Sequence, residues 1–385
     1  MPEIDISVRR TDGSEQNFYL VNYFGNSPIA YPQQAFVFDQ YGDIRWYLDY
    51  QNHPVLYRLF FDNGLIRLNN GNFIFGDNFS SSLYEVDYFG KVINTWGLHG
   101  YRFHAAVLEK PNGNFLVTVD DPQKVTVQDV ILEINRNNGA IVNSWDLTES
   151  LDQSRHAWLS NRSNLRIDWF HANGLGYSAE DNSIIVSGRT QGVVKLNHNN
   201  DVAWILAPHL GWSTSGNGTD LTQFLLKPLD GQNNIISDMS IFQGYTNHSD
   251  FEWSWYQHSP ILMSNGNLLL FDNGENRNYS LDHQYSRTVE YAIDENEKTL
   301  KQIWSYGKSR GEETYSQVVS RADILDNGNV LFTPGPIQTN GIGLSRIIEV
   351  NPSNNQVEFE EIITPPGTLA NITFHNVHQI ELSIN

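Results

Sequence analysis

Three histidines of this 385-residue chain, His104 in RFHAAV, His171 in DWFHANG and His258 in QHSPIL, each stand just before an apolar stretch that ends at a polar turn. An imidazole near neutral pH can attack as a nucleophile, move a proton or bind a metal. Placed together, and joined by guanidinium groups such as Arg189 in SGRTQ and Arg321 in SRADIL, three imidazoles would make a cationic cup rich in donors. That suits a tetrahedral oxyanion, because an arginine grips two oxygens through its planar fork and imidazolium N–H groups take the others. Zinc is the competing reading. The chain has no HExxH pair, however, no carboxylate shares the histidine position, and two arginines nearby would oppose a dication, so no metal is expected. His53, His99, His156, His198, His209, His248 and His283 stand outside this register.

Residues scattered over about 150 positions would share one pocket if a repeat sets equivalent positions around one axis, and a repeat is visible. It reads as an apolar strand, an Asn-Gly-Asn turn, a second apolar strand, a spacer, a strand of Leu-x-Glu-Val/Ile-Asp/Asn type, a polar turn and a last strand ending in Trp. Two full copies carry Asn70-Gly71-Asn72, Glu85 and Trp96, and Asn112-Gly113-Asn114, Glu133 and Trp145. Asn-Gly is a hairpin signal because both residues tolerate positive φ. Five complete units can be counted. The stretch 35–49 supplies only an outer half, and FHNVHQIELSI near the end supplies an inner strand. The expected fold is therefore all-β, a six-bladed β-propeller whose first blade is closed by the C-terminal strand, with residues 1–34 as a lead-in segment and 35–385 as the catalytic domain. An open β-solenoid fits less well, since the terminal units are complementary halves rather than caps.

Aligning the repeats puts Gly64, His104, His171, His258 and Arg321 at one equivalent position, with His375 or His378 from the closing strand. Arg189 follows a blade's second strand and can reach the same mouth through the adjoining loop. Aromatic residues at the mouth, among them Phe103, Phe170 and Tyr256, could stack on an aromatic substrate, or pack in the core. The tryptophans at 46, 96, 145, 204 and 304 read as blade packing.

Composition sets outer bounds. With 24 Lys plus Arg against 44 Asp plus Glu, the formal charge of −20 repels nucleic acids and anionic membranes. Cysteine is absent, which removes disulfides, thiolate metal sites and thiol nucleophiles together. No apolar stretch has the length of a membrane span, and the first residues lack the apolar core of a signal peptide.

At these motifs the chain resembles the bacterial arylsulfate sulfotransferases, which use aryl sulfates directly rather than a nucleotide sulfate donor. The likeness runs through NYFGNSPIAYPQQAFVFDQYGDIRWY, DWFHANGLGYSAEDNSIIVSGRTQGVVKLN and WYQHSPILMSNGNLLLFDNG. It implies a six-bladed propeller and ping-pong transfer through a sulfohistidine, from an aryl sulfate donor to a phenolic acceptor, with no cofactor. Carried over by motif, His258 is the nucleophile, His104, His171 and Arg189 hold the sulfuryl group, and Asn173 contacts the sulfate pocket. Either His104 or His171 could serve as the acid. The resemblance points to a periplasmic or secreted protein and is compatible with a homo-oligomer. The chain departs from familiar members in lacking a signal peptide, a substantial N-terminal β-domain and a cysteine pair, and in having Thr190 after Arg189. Water in place of the acceptor would make the protein an aryl-sulfate hydrolase. A propeller that only binds an anion or glycan is the alternative without catalysis.

Overall fold

A glutamate and an asparagine-rich turn account for much of the repeat. In the computed structural model, Glu85, Glu133 and Glu349 on third strands accept from the Asn-Gly-Asn turn joining the first two strands, with Asn72, Asn114 and Asn329 at 2.7, 2.7 and 2.6 Å. Four turn glycines, Gly71, Gly113, Gly266 and Gly328, have φ of 84–86°. The leading asparagines do not share that conformation. Each instead accepts, through its side-chain oxygen, the N–H two residues on, as Asn70 does from Asn72 at 3.1 Å. The turn thus uses asparagine for its carboxamide and glycine for its backbone. In the fourth copy Lys195 replaces the glutamate and pairs with Asp181 at 2.7 Å and Glu295 at 2.6 Å, so the polarity of the same link is reversed.

Residues 5–10, 17–25, 34–49, 53, 64–77, 79–155, 162–163, 166–282, 284–339, 342–364 and 372–382 are described; His156 and His283 lie outside them. They form six antiparallel blades, the arrangement of a six-bladed β-propeller. The first blade orders its strands Ile372–Ile380, Phe18–Gly25, Gln34–Asp39 and Ile44–Leu48, so the C-terminal strand closes it as expected. The residues read as a lead-in are not separate from the blades. Phe18–Gly25 is the second strand of this blade, and Asp5–Arg10 pairs with Gln356–Thr364 of the sixth. Sequence reading missed both because neither adjoins an Asn-Gly-Asn turn.

By packing, the chain divides into 1–107 with 309–385, and 108–308. Second strands such as Phe73–Asp77, Phe115–Asp120, Ser183–Gly188 and Leu268–Asp272 are buried along their whole length. Covered on both faces, they read as continuous apolar runs rather than alternating ones. The fourth strands carry the repeating tryptophans, and three of them send the ring N–H to the next blade. Trp46 donates to the Tyr88 carbonyl, Trp145 to that of Asn197 and Trp204 to the Glu295 carboxylate, at 2.7, 2.7 and 3.0 Å. Burial of the indole and satisfaction of its one donor are achieved together.

Candidate active site

Within residues 108–308, the fourth blade holds His171, Asn173 and Arg189, and the fifth holds His258. His258 begins the innermost strand, His258–Leu262, and is 8% exposed. Its Nδ1 lies 3.1 Å from the Tyr256 carbonyl oxygen and 2.7 Å from Oδ1 of Asn273. A carbonyl can only accept, so Nδ1 carries the proton and donates. In the neutral ring the nucleophilic lone pair is then on Nε2.

The segment entering His258 is sewn to the fourth blade. Gln257 donates through Nε2 to the Gly188 carbonyl at 2.8 Å, and its own carbonyl accepts from Asn173 Nδ2 at 3.0 Å and Ser187 Oγ at 2.9 Å. Arg189 donates its backbone N–H to the His171 carbonyl at 3.0 Å. Few residues therefore separate His258 from His171 and Arg189. Gly174 makes the approach possible, since a Cβ there would stand 2.6 Å from Pro260 Cδ and 3.0 Å from the Ser259 nitrogen.

His171 is half-buried, and its Nδ1 lies 2.9 Å from Asp168 Oδ2, three residues earlier. The carboxylate orients the ring and directs Nε2 away from it. His171 itself has φ of 59°, and Tyr256 and Ser259, on either side of His258, have 54° and 56°. Such conformations cost roughly 1–3 kcal/mol each and are kept where surrounding structure enforces them. The guanidinium of Arg189 stands 5.7 Å from the Tyr256 ring centroid, and its Nε is buried without a hydrogen-bond partner among the described residues. Burial pushes the Tyr256 hydroxyl up, opposed by Asn276 and by Arg189.

The expected common position of the histidines is only partly kept. His258 and Arg321 share a rung, facing Phe271 and Thr333, each four residues past its turn. His171 lies two rungs further out, since Gly174 faces Ser187 and Ala172 faces Gly188. That displacement sets it beside Arg189. His104 is half-buried on Arg102–Glu109, described with the other unit.

Four residues expected to touch substrate have other duties. Arg321 is committed to Asp323 at 3.0 Å, which His378 also approaches at 3.4 Å. Burial opposes ionisation of Asp323, but Arg321 and His378 hold its carboxyl well below the usual range. Phe103 and Phe170 are core residues, 1% and 0% exposed, and lie where side chains at Gly76 and Gly188 would otherwise be. Asn173 gives one N–H of Nδ2 to the Gln257 carbonyl and so holds the backbone before His258.

Asn273, Gln257 and Asp168 were not singled out in the sequence. A signal for Asn273 existed: it stands six residues past its turn, as Arg189 does from Ser183, so the reasoning that found one finds the other. Behind Asn273, Asp272 is fully buried. It accepts from the Trp255 and Gly274 N–H groups at 2.8 and 3.1 Å, and from Arg277 and Arg287 at 3.0 and 2.7 Å. This network fixes the backbone on both sides of the histidine's partner.

A family model described as Arylsulfotransferase (ASST) matches residues 5–365. The chain is 31% identical over 364 residues to the arylsulfate sulfotransferase AssT of Escherichia coli strain CFT073, covering 80% of this chain and 58% of that protein. It is 29% identical over 384 residues to the AssT of Lelliottia amnigena, covering 85% and 62%. The chain thus spans about three-fifths of the length of the curated relatives it matches. A solved structure of a protein of unknown function from Bacteroides caccae shares the fold at a TM-score of 0.52 and 13% identity, covering 90% of this chain and 93% of that one. With the family model extending over nearly the whole propeller, the chain belongs to the arylsulfotransferase family.

Proposed function

We propose that the protein transfers a sulfuryl group from an aryl sulfate to a phenolic acceptor by a ping-pong route through a sulfohistidine at His258. The observation that carries this reading is the locked tautomer: two acceptors at Nδ1 put the neutral ring's lone pair on Nε2, the atom that attacks. Nε2 attacks sulfur, the N–S bond forms, and the S–O bond to the aryl group breaks with its electron pair leaving on the phenolate oxygen. His171, held through Nδ1 by Asp168, gives that oxygen a proton. The sulfurylated ring keeps its Nδ1–H, and the Tyr256 and Asn273 oxygens stabilise the positive charge that results.

Arg189 meets the sulfuryl oxygens, and its unpartnered buried Nε supports an anion as its complement. In the second half-reaction the acceptor phenol gives its proton to the histidine deprotonated in the first. Its oxygen attacks sulfur, the S–N bond breaks, and the pair returns to Nε2. A periplasmic or secreted location is proposed from the family resemblance alone.

Intact-mass measurement after incubation with an aryl sulfate and no acceptor tests the central step. One added sulfuryl group is expected, absent in His258→Ala and removed by added phenol. An adduct that persists in His258→Ala, or phenol release at a rate indifferent to added acceptor, refutes the scheme.

A further inference from the structure

A second set of groups lies beside the proposed sulfuryl site and shares only Arg189 with it. Arg155, Arg189, Ser254, Trp255, Tyr256 and Tyr279 line a cleft within residues 108–308. Apart from Arg189 Nε, assigned above to the sulfuryl group, three donors on its walls are buried and have no hydrogen-bond partner among the described residues: Ser254 Oγ, Trp255 Nε1 and Asn276 Nδ2. Ser254 is 3% exposed. Leaving a buried donor unmade costs about 1–3 kcal/mol, so three around one cleft call for an acceptor.

Arg155 supplies the second observation. It is buried, and among the described residues its guanidinium bonds only to uncharged oxygens, the carbonyls of Leu210, Gln191 and Pro208 and Oε1 of Gln191, at 2.6–3.3 Å. Its face packs 4.5 Å from the Trp212 ring centroid. Among the described residues no carboxylate pairs with it, and burial pushes it down to about 10. Asp152 acts on it only from beyond ion-pair distance, and a buried cation with no carboxylate in contact is an unfavourable arrangement that an incoming anion relieves. Two carboxylates act on Tyr256 in this region: Asp168 is paired with His171, and Glu275 does not line the cleft.

We propose that this cleft receives an oxyanion carried by the aromatic ring, a carboxylate or sulfonate, so that the protein favours acidic phenols over neutral ones. The inference rests on the sulfuryl-transfer reading for what lies at the other end of the ring. Continuity of the wall supports it, since Tyr256 and Gln257 line the cleft and lead directly into His258. The ring would lie along Tyr256, and Arg189 would face both anionic ends. In a protein of charge −20, selection of a more anionic substrate requires local donors of this kind.

Binding is measured by calorimetry without a donor, so the result does not depend on turnover. The probes are 4-hydroxybenzoate, p-cresol and inorganic sulfate, with the wild-type protein, Ser254→Ala and Trp255→Phe. Tighter binding of 4-hydroxybenzoate than of p-cresol is expected, weakened about tenfold by each substitution, with p-cresol unchanged. Trp255→Phe keeps a ring against Tyr279, and if it lowers the unfolding temperature, Ser254→Ala alone decides. Equal affinity for the two phenols, or equal weakening of both, overturns the proposal. Sulfate binding that matches 4-hydroxybenzoate and responds identically to the substitutions also overturns it, and assigns the cleft to a free anion. Loss of the sulfuryl adduct on His258 with intact selective binding would instead sink the transfer reading alone.

Discussion

A single methyl group at Gly174 should disable the site without touching a reacting atom. In Gly174→Ala the added Cβ would stand 2.6 Å from Pro260 Cδ and 3.0 Å from the backbone nitrogen of Ser259. Carbon atoms rest about 3.5–4.0 Å apart, so the strand bearing His258 must retreat by about 1 Å at Pro260. The fourth blade cannot absorb that shift, because Ser187, opposite Gly174, lies in a fully buried strand. His258 is two residues from Pro260 and depends on contacts of 2.7 and 3.1 Å to Asn273 and Tyr256, and Gln257 on a 3.0 Å bond from Asn173. None survives a displacement of that size unchanged. Overpacking costs about 1–3 kcal/mol of stability, and a misplacement of 1 Å costs about 100-fold in rate. The assay is release of phenol from a chromogenic aryl sulfate with acceptor present, read beside the thermal unfolding curve. Gly97→Ala is the control, since nothing lies within 4 Å of a Cβ there, and its rate should match the wild type. A Gly174→Ala protein with unchanged rate and stability would refute the claim that this close approach positions the nucleophile.

Two further outcomes follow from the same geometry. Asn273→Ala removes the 2.7 Å acceptor at Nδ1 of His258 and keeps the Tyr256 carbonyl at 3.1 Å; adduct formation, followed by quenched mass measurement, should slow about tenfold, and an unchanged rate in a folded variant would discount the tautomer lock. For Glu252, burial opposes ionisation, but Arg287, Lys308, Tyr285 and Arg277 together hold its carboxyl at about 2 against an ordinary 4.5. A depressed carboxylate contributes stability above its unfolded value and loses it as pH falls. About 3 kcal/mol should therefore be present above pH ~5 and disappear toward pH ~2. Glu252→Gln should flatten that limb of the stability–pH curve, and an acid limb identical to wild type would show that other groups dominate it.

The repeat was legible because its signals are local. Asn-Gly-Asn, the Leu-x-Glu run and the terminal tryptophan each do a job within one blade or at its edge, so their spacing survives in the chain. Asp5–Arg10 and Phe18–Gly25 were not legible as blade strands, since their partners, Gln356–Thr364 and Ile372–Ile380, lie at the opposite end of the sequence. Among aromatic residues, sequence position could not separate Phe170, which fills the space beside Gly188, from Tyr256, which lines a cleft. Both precede an inner strand, and only packing distinguishes them.

The sequence by itself determined the six-bladed fold, the closing role of the C-terminal strand and the family, because these rest on turns, apolar runs and motifs that each residue stretch carries within itself. Tertiary structure alone decided which groups stand beside His258 and how its proton is held. A bulge at Asn173 separates the rungs of His171 and His258, a glycine admits Pro260, and an asparagine from the neighbouring strand fixes the tautomer. Those outcomes depend on sub-ångström fit between strands far apart in the chain, and residue spacing carries no record of it.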